Sequence, residues 1–144
     1  IEFIDVNFDG FKDIMAVENE DGRFVTFRFY LFDIGSGTFK FDGEFTDIVG
    51  YNTRVDTSGQ AIETGGGTSD ESWYLNTYEV DDGKLVLAEK EEVSRDLVDG
   101  VAQVDSSGED ICVHTLKRLV DGKLKLVKKV AAPIGDLDDE WLKH

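Results

Sequence analysis

From Phe24 to Phe32 (FVTFRFYLF) apolar side chains stand at every second position, Val25, Phe27, Phe29 and Leu31, while Phe24, Tyr30 and Phe32 make the opposite face apolar too. A period of two is that of an extended strand, and a strand apolar on both faces belongs inside a sheet or between layers. Short β-rich runs of the same kind follow: Thr38 to Phe41, Phe45 to Val49, Asn52 to Val55, Ala61 to Thr64, Trp73 to Val80, Lys84 to Val93, Val101 to Val104, Ile111 to Val120 and Lys123 to Val130. Between them glycine sits beside Asp or Ser, as in Asp21-Gly22, Asp42-Gly43, Ser58-Gly59, Asp82-Gly83, Ser107-Gly108 and Asp121-Gly122. Such pairs are hairpin turn residues, so the pattern predicts an all-β chain of antiparallel hairpins.

Two stretches resemble each other. Asn76 to Val93 and His114 to Ala131 both read as strand, Asp-Gly-Lys-Leu turn, strand, with the turns at Asp82 and Asp121, 39 residues apart. A period near 40 is that of a four-stranded propeller blade, and the run count makes about three such units. The expectation is therefore a single β-rich domain over 1–144, propeller-like; three units are too few for a closed propeller of ordinary size, so either strands precede Ile1 or the fold is a partial, open or atypical β-array. Gly65 to Asp70 (GGGTSD) reads as a flexible connector. The acidic segment 134–144 begins with Ile134 to Leu142 (IGDLDDEWL), which reads as a short helix docking through Leu137, Trp141 and Leu142.

The sharpest chemistry lies at the start. Asp5, Asn7, Asp9 and Asp13, with Gly10 at the turn, form D-x-N-x-D-G-x-x-D. Calcium takes six to eight hard oxygen ligands, so oxygen-bearing side chains at alternate positions can converge on one point while glycine permits the bend. The predicted ligand set is Asp5, Asn7, Asp9, the Phe11 carbonyl and Asp13. An EF-hand would place a Glu at the twelfth position, which here is Ala16, and would flank the loop with helices. The flanking Ile1 to Ile4 and Ile14 to Val17 read as strands instead, so the loop is predicted to be a turn connection between two strands.

Charge narrows the partners. Thirty-one acidic residues against 15 basic ones give a net charge of −16, which argues against nucleic acid phosphates and favours a cation or a basic protein. Lys117, Arg118, Lys123, Lys125, Lys128 and Lys129 gather around the last hairpin, as they would on an edge strand guarded against aggregation. The lone Cys112 rules out an intramolecular disulfide and reads as a half-buried strand residue. No run approaches the roughly 20 apolar residues of a membrane helix. Catalysis is not expected: the two histidines, His114 and His144, have no metal-type spacing, and no G-x-S-x-G motif occurs.

The stretch Ile4 to Ile14 (IDVNFDGFKDI) resembles the calcium loops of FG-GAP/VCBS-like β-propeller proteins. With the aromatic strand after it and Phe29 to Phe39 (FYLFDIGSGTF), in which Asp33, Gly37 and Phe39 fit an Asp-x-x-x-G-x-F ending, the opening third is similar to a bacterial periplasmic or lipoprotein group that includes an inhibitor of c-type lysozyme. The resemblance implies calcium held by Asp5, Asn7, Asp9, Phe11 and Asp13, and an extracellular or periplasmic location, with a lipid anchor through residues upstream of Ile1 as one form. It implies a non-enzymatic protein-binding module whose target is a basic protein such as lysozyme. The alternative from the residues themselves is a carbohydrate- or surface-binding module that uses Trp73, Tyr74 and Tyr78 as stacking faces.

Overall fold

The computed structural model describes residues 1–143, so His144 lies outside the described residues. The chain forms two compact units, Ile1–Gly66 with Thr77–Leu87, and Gly67–Asn76 with the chain from Ala88 onward. Both are built from antiparallel β-structure, as the hairpin pattern predicts. Strands β6 (Ala61–Ser69), β7 (Ser72–Asp81) and β8 (Lys84–Arg95) each contribute a part to both units.

In the first unit β1 (Glu2–Ile4), β2 (Asp13–Asp21), β3 (Phe24–Asp33) and β4 (Thr38–Phe41) form a sheet in chain order. The doubly apolar β3 is interior, as its pattern requires: Phe29 is fully buried, with Phe27 and Leu31 packed on the same core. The opposite face carries an aromatic ladder, Phe11 on Phe32, Phe32 on Phe39 and Tyr30 on Phe41. The core gathers Val6, Met15, Phe29, Phe45, Val49 and Ile62.

Phe45 to Val49 is not the strand its composition suggests. It lies in helix α1 (Gly43–Val49), because the Asp42 carboxylate accepts the Phe45 amide at 2.9 Å and so satisfies an otherwise orphaned helix-start donor. Phe45 and Val49, four residues apart, then share the buried face. Thr46 Oγ1 in turn accepts the Phe29 amide at 3.0 Å, which joins the helix to β3. After α1, β5 (Thr53–Asp56) pairs with the start of β6.

The glycine run Gly65–Gly67 also departs from expectation. It belongs to strand β6 and is not a flexible connector. A Cβ on Gly67 would stand 2.6 Å from both the Ser72 carbonyl oxygen and Trp73 Cβ, so glycine here permits close approach of the neighbouring strand.

The second unit is built on β11 (Ile111–Val120), which pairs with β8 and with β12 (Lys123–Pro133). Strand β12 is an edge strand, and Lys123, Lys125, Lys128 and Lys129 lie along it, the edge protection that the sequence suggests. The run Val101 to Val104 shortens to β10 (Val101–Ala102), which pairs with β9 (Leu97–Val98). The turns Asp82-Gly83, Asp99-Gly100 and Asp121-Gly122 have both residues left-handed, with φ from 51° to 78°, the conformation that Asp-Gly supplies for two-residue hairpins. Helix α2 (Leu137–Leu142) buries Leu137 and lays Trp141 on His114, but Leu142 is 81% exposed. Leu137 and Trp141 are four residues apart and share a face; the next position turns away.

Candidate functional site

The run Asp5 to Lys12 connects β1 to β2, whose register pairs Ile4 with Asp13. Val6, fully buried, and Phe8 point into the first core, so the alternating Asp5, Asn7 and Asp9 are left to the loop's polar side. Left-handed backbone at Phe8 (φ 58°) and Gly10 (φ 93°) makes the bend.

Each acidic side chain is engaged by the loop's own backbone. Asp5 accepts the amides of Asp9 at 3.2 Å and Gly10 at 2.8 Å. Asp9 accepts the Phe11 amide at 2.9 Å and the Asn7 side-chain NH2 at 3.1 Å. Asp13 is fully buried and accepts the Val6 amide at 3.0 Å and, across the sheet, the Phe32 amide at 2.8 Å. Burial pushes the Asp13 carboxyl above its ordinary value and the charges of Asp9 and Asp5 add to that rise, while the Phe32 and Val6 amides oppose it. Asp13 thus works as a clamp that ties the loop to β3, a role the motif alone does not suggest.

Among the described residues no three His, Cys, Asp or Glu side chains gather as a ready metal cage. The loop nevertheless leaves one polar atom unsatisfied: Asn7 Oδ1 is buried without a hydrogen-bond partner. Such an acceptor costs free energy unless it meets a donor or a cation. The donor set, hard carboxylate and amide oxygens, matches the chemistry of calcium.

Asp33, Gly37 and Phe39 are explained by the next turn. The Asp33 carbonyl accepts the Gly37 amide at 2.8 Å, Gly37 is left-handed at φ 68°, and Phe39 pairs with Phe32. The Asp33 carboxylate accepts the Ser36 hydroxyl at 2.7 Å and meets Lys40 Nζ at 2.9 Å, and these contacts hold it down to about 2.

In the second unit, Cys112 is fully buried and burial pushes its thiol up, which suppresses the reactive thiolate. His114, also buried, bonds Glu91 Oε1 through Nε2 at 2.7 Å, with Trp141 stacked at 3.5 Å and Trp73 edge-on at 5.3 Å. Lys128 Nζ sits 4.1 Å from the centre of the Trp141 ring. Of the three aromatics considered as sugar platforms, Trp73 and Tyr78 pack against buried cores and Tyr74 is 36% exposed.

The β9–β10 hairpin is the opposite case. Its base is fixed by hydrogen bonds from the Asp96 amide to the Ile111 carbonyl, at 2.9 Å, and from the Ile111 amide to the Gln103 carbonyl, at 3.0 Å. Its tip exposes Leu97 at 58%, Val98 at 55% and Val101 at 63%. In the sequence it is an ordinary Asp-Gly turn; the exposure follows from its forming a two-stranded sheet of its own.

No family model matches the chain, and no curated protein does. Among solved structures the chain is similar in fold to one described as a Xanthomonas type IV secretion system related protein, with a TM-score of 0.60 and 21% sequence identity. The match covers 88% of this chain and 56% of that one, so this chain spans little more than half of that protein's length.

Proposed function

We propose that the chain is a non-enzymatic, exported bacterial protein-binding module of propeller-like build, supported by calcium, whose target is a basic protein such as lysozyme. The observation that carries the binding role is the β9–β10 hairpin, which holds three apolar side chains in solvent on a braced two-residue turn. Covering such exposed apolar side chains with a partner removes apolar surface from water, at roughly 25 cal/mol per Å². The net charge of −16 supports a basic target, because complementary charge speeds and orients encounter. The fold likeness to a protein related to a bacterial secretion system supports a bacterial setting at or beyond the cell envelope.

The calcium part rests on Asn7 Oδ1. The ion would be held by Asp5, Asn7, Asp9, the Phe11 carbonyl and Asp13. When bound, it offsets the mutual repulsion of Asp5, Asp9 and Asp13 and gives the orphaned amide oxygen a partner. The loop residues orient the site: Val6 and Phe8 anchor it in the core, and the Asp5 and Asp9 bonds to backbone amides preset its curvature.

The test is binding of c-type lysozyme by the intact chain and by a Leu97→Ser/Val101→Ser variant. The wild type is expected to bind, with an affinity that falls as salt rises, and the variant to lose at least about tenfold, since a buried hot-spot truncation costs upwards of ~1 kcal/mol. Undiminished binding by a folded variant refutes the hairpin as the contact. Absence of binding by the wild type at low salt refutes lysozyme as the target.

A further inference from the structure

Trp73, Val93, Ile134 and Leu137 line a cavity of about 200 Å³ in the second unit, completed by the exposed Asp70 and Asp138. Its floor is firm. Val93 and Leu137 are 3% and 2% exposed, and Trp73 is held edge-on against His114, itself bonded to Glu91. Asp70 comes from the β6–β7 turn and Asp138 from the first turn of α2, so two segments far apart in sequence bring carboxylates to the mouth of one cavity whose floor is apolar and whose rim is polar. Neither carboxylate has a hydrogen-bond or ion-pair partner among the described residues.

Size and chemistry together select the occupant. A volume near 200 Å³ is below the roughly 300–1,000 Å³ of small-molecule sites but fits one long side chain. Aliphatic floor, aromatic wall and two unpaired carboxylates suit a group with an apolar stem and a cationic head: the stem covers apolar surface while the head meets the carboxylates and the indole. A planar guanidinium uses both kinds of contact best.

We propose that this cavity takes the side chain of an arginine or lysine from a basic partner protein, with the stem against Val93, Ile134 and Leu137 and the head beside Trp73, Asp70 and Asp138. The partner's identity as a protein rests on the function proposed above, but the cavity's preference can be tested without any partner.

The intact chain is titrated with n-butylguanidinium and, at matched ionic strength, with its neutral counterpart n-butylurea, observing the Trp73 indole N–H and the Val93, Ile134 and Leu137 methyl signals by NMR. The expected result is a saturable shift of these signals with the cation, and at least about fivefold weaker binding of the urea, the size two partly exposed ion pairs sustain. An Asp70→Asn/Asp138→Asn variant should show the same fivefold loss with its melting temperature unchanged. Equal binding of the two probes, or shifts that do not saturate, overturns the proposal. Lysozyme binding that survives undiminished in the double Asn variant overturns the anchor role while leaving the protein-binding reading intact.

Discussion

Replacing Asp13 tests whether one buried carboxylate holds the calcium loop to the sheet. In Asp13→Ala the amides of Val6 and Phe32 both lose their acceptor. Hydrogen bonds to a charged group contribute about 1.5–3 kcal/mol each, and a buried donor left unpaired costs about 1–3 kcal/mol. Against this, the substitution removes a carboxylate that burial disfavours, as its raised pKa shows. The balance is a loss of about 3–5 kcal/mol. Asp13→Asn keeps the shape and one acceptor oxygen but turns an NH2 toward the other amide, so it should lose about 1–3 kcal/mol. Urea unfolding in metal-free buffer, where calcium plays no part, gives both values. If Asp13→Ala unfolds within about 0.5 kcal/mol of wild type, the clamp does not hold the loop and the argument from burial fails.

Three other outcomes follow from the same contacts. Asp42→Ala removes the cap of α1 and should cost about 1 kcal/mol in urea unfolding, whereas Asp47→Ala, on the exposed side of that helix, should change little. Asp33, depressed to about 2 by Ser36 and then Lys40, stabilises its turn above the unfolded carboxyl value of about 3.9, and that contribution is lost as pH falls through 2. Carboxyl NMR titration should find this low value in wild type and a higher one in Ser36→Ala; an ordinary value in wild type refutes the turn geometry. Lys128→Met should loosen Trp141, which Lys128 covers and bonds at its carbonyl, giving faster amide exchange in α2 with β11 unaffected.

Much of the fold was legible where local chemistry and tertiary demand agree. The alternation in β3 marks an interior strand, and the Asp-Gly pairs mark left-handed turns that few other residues tolerate. Legibility failed where a distant partner decides. Phe45, Ile48 and Val49 are as good in a strand as in a helix, and what settles α1 is the Asp42 cap together with the Thr46 bond to Phe29. Glycines at 65–67 look flexible until the approach of Ser72 and Trp73 is seen. At the candidate site the alternation of Asp5, Asn7 and Asp9 could be read directly, because their spacing is the message. The bond from Phe32 to Asp13 spans 19 residues, and the cavity of Asp70, Trp73 and Asp138 joins segments still farther apart, so neither had a local signal.

The measurement nearest the central claim is a thermal melt of the metal-stripped chain with and without millimolar calcium, repeated on Asn7→Ala. With free calcium a hundredfold above the dissociation constant, binding adds about 2.7 kcal/mol, a rise on the order of 10 °C for a chain of 144 residues. That rise is expected in wild type, and its loss or marked reduction in Asn7→Ala, which should still fold without metal because it gives up an exposed bond to Asp9 while removing an unpaired buried acceptor. A wild-type melt that calcium does not move would contradict it, leaving Asp5 to Asp13 as a turn held by its own backbone bonds.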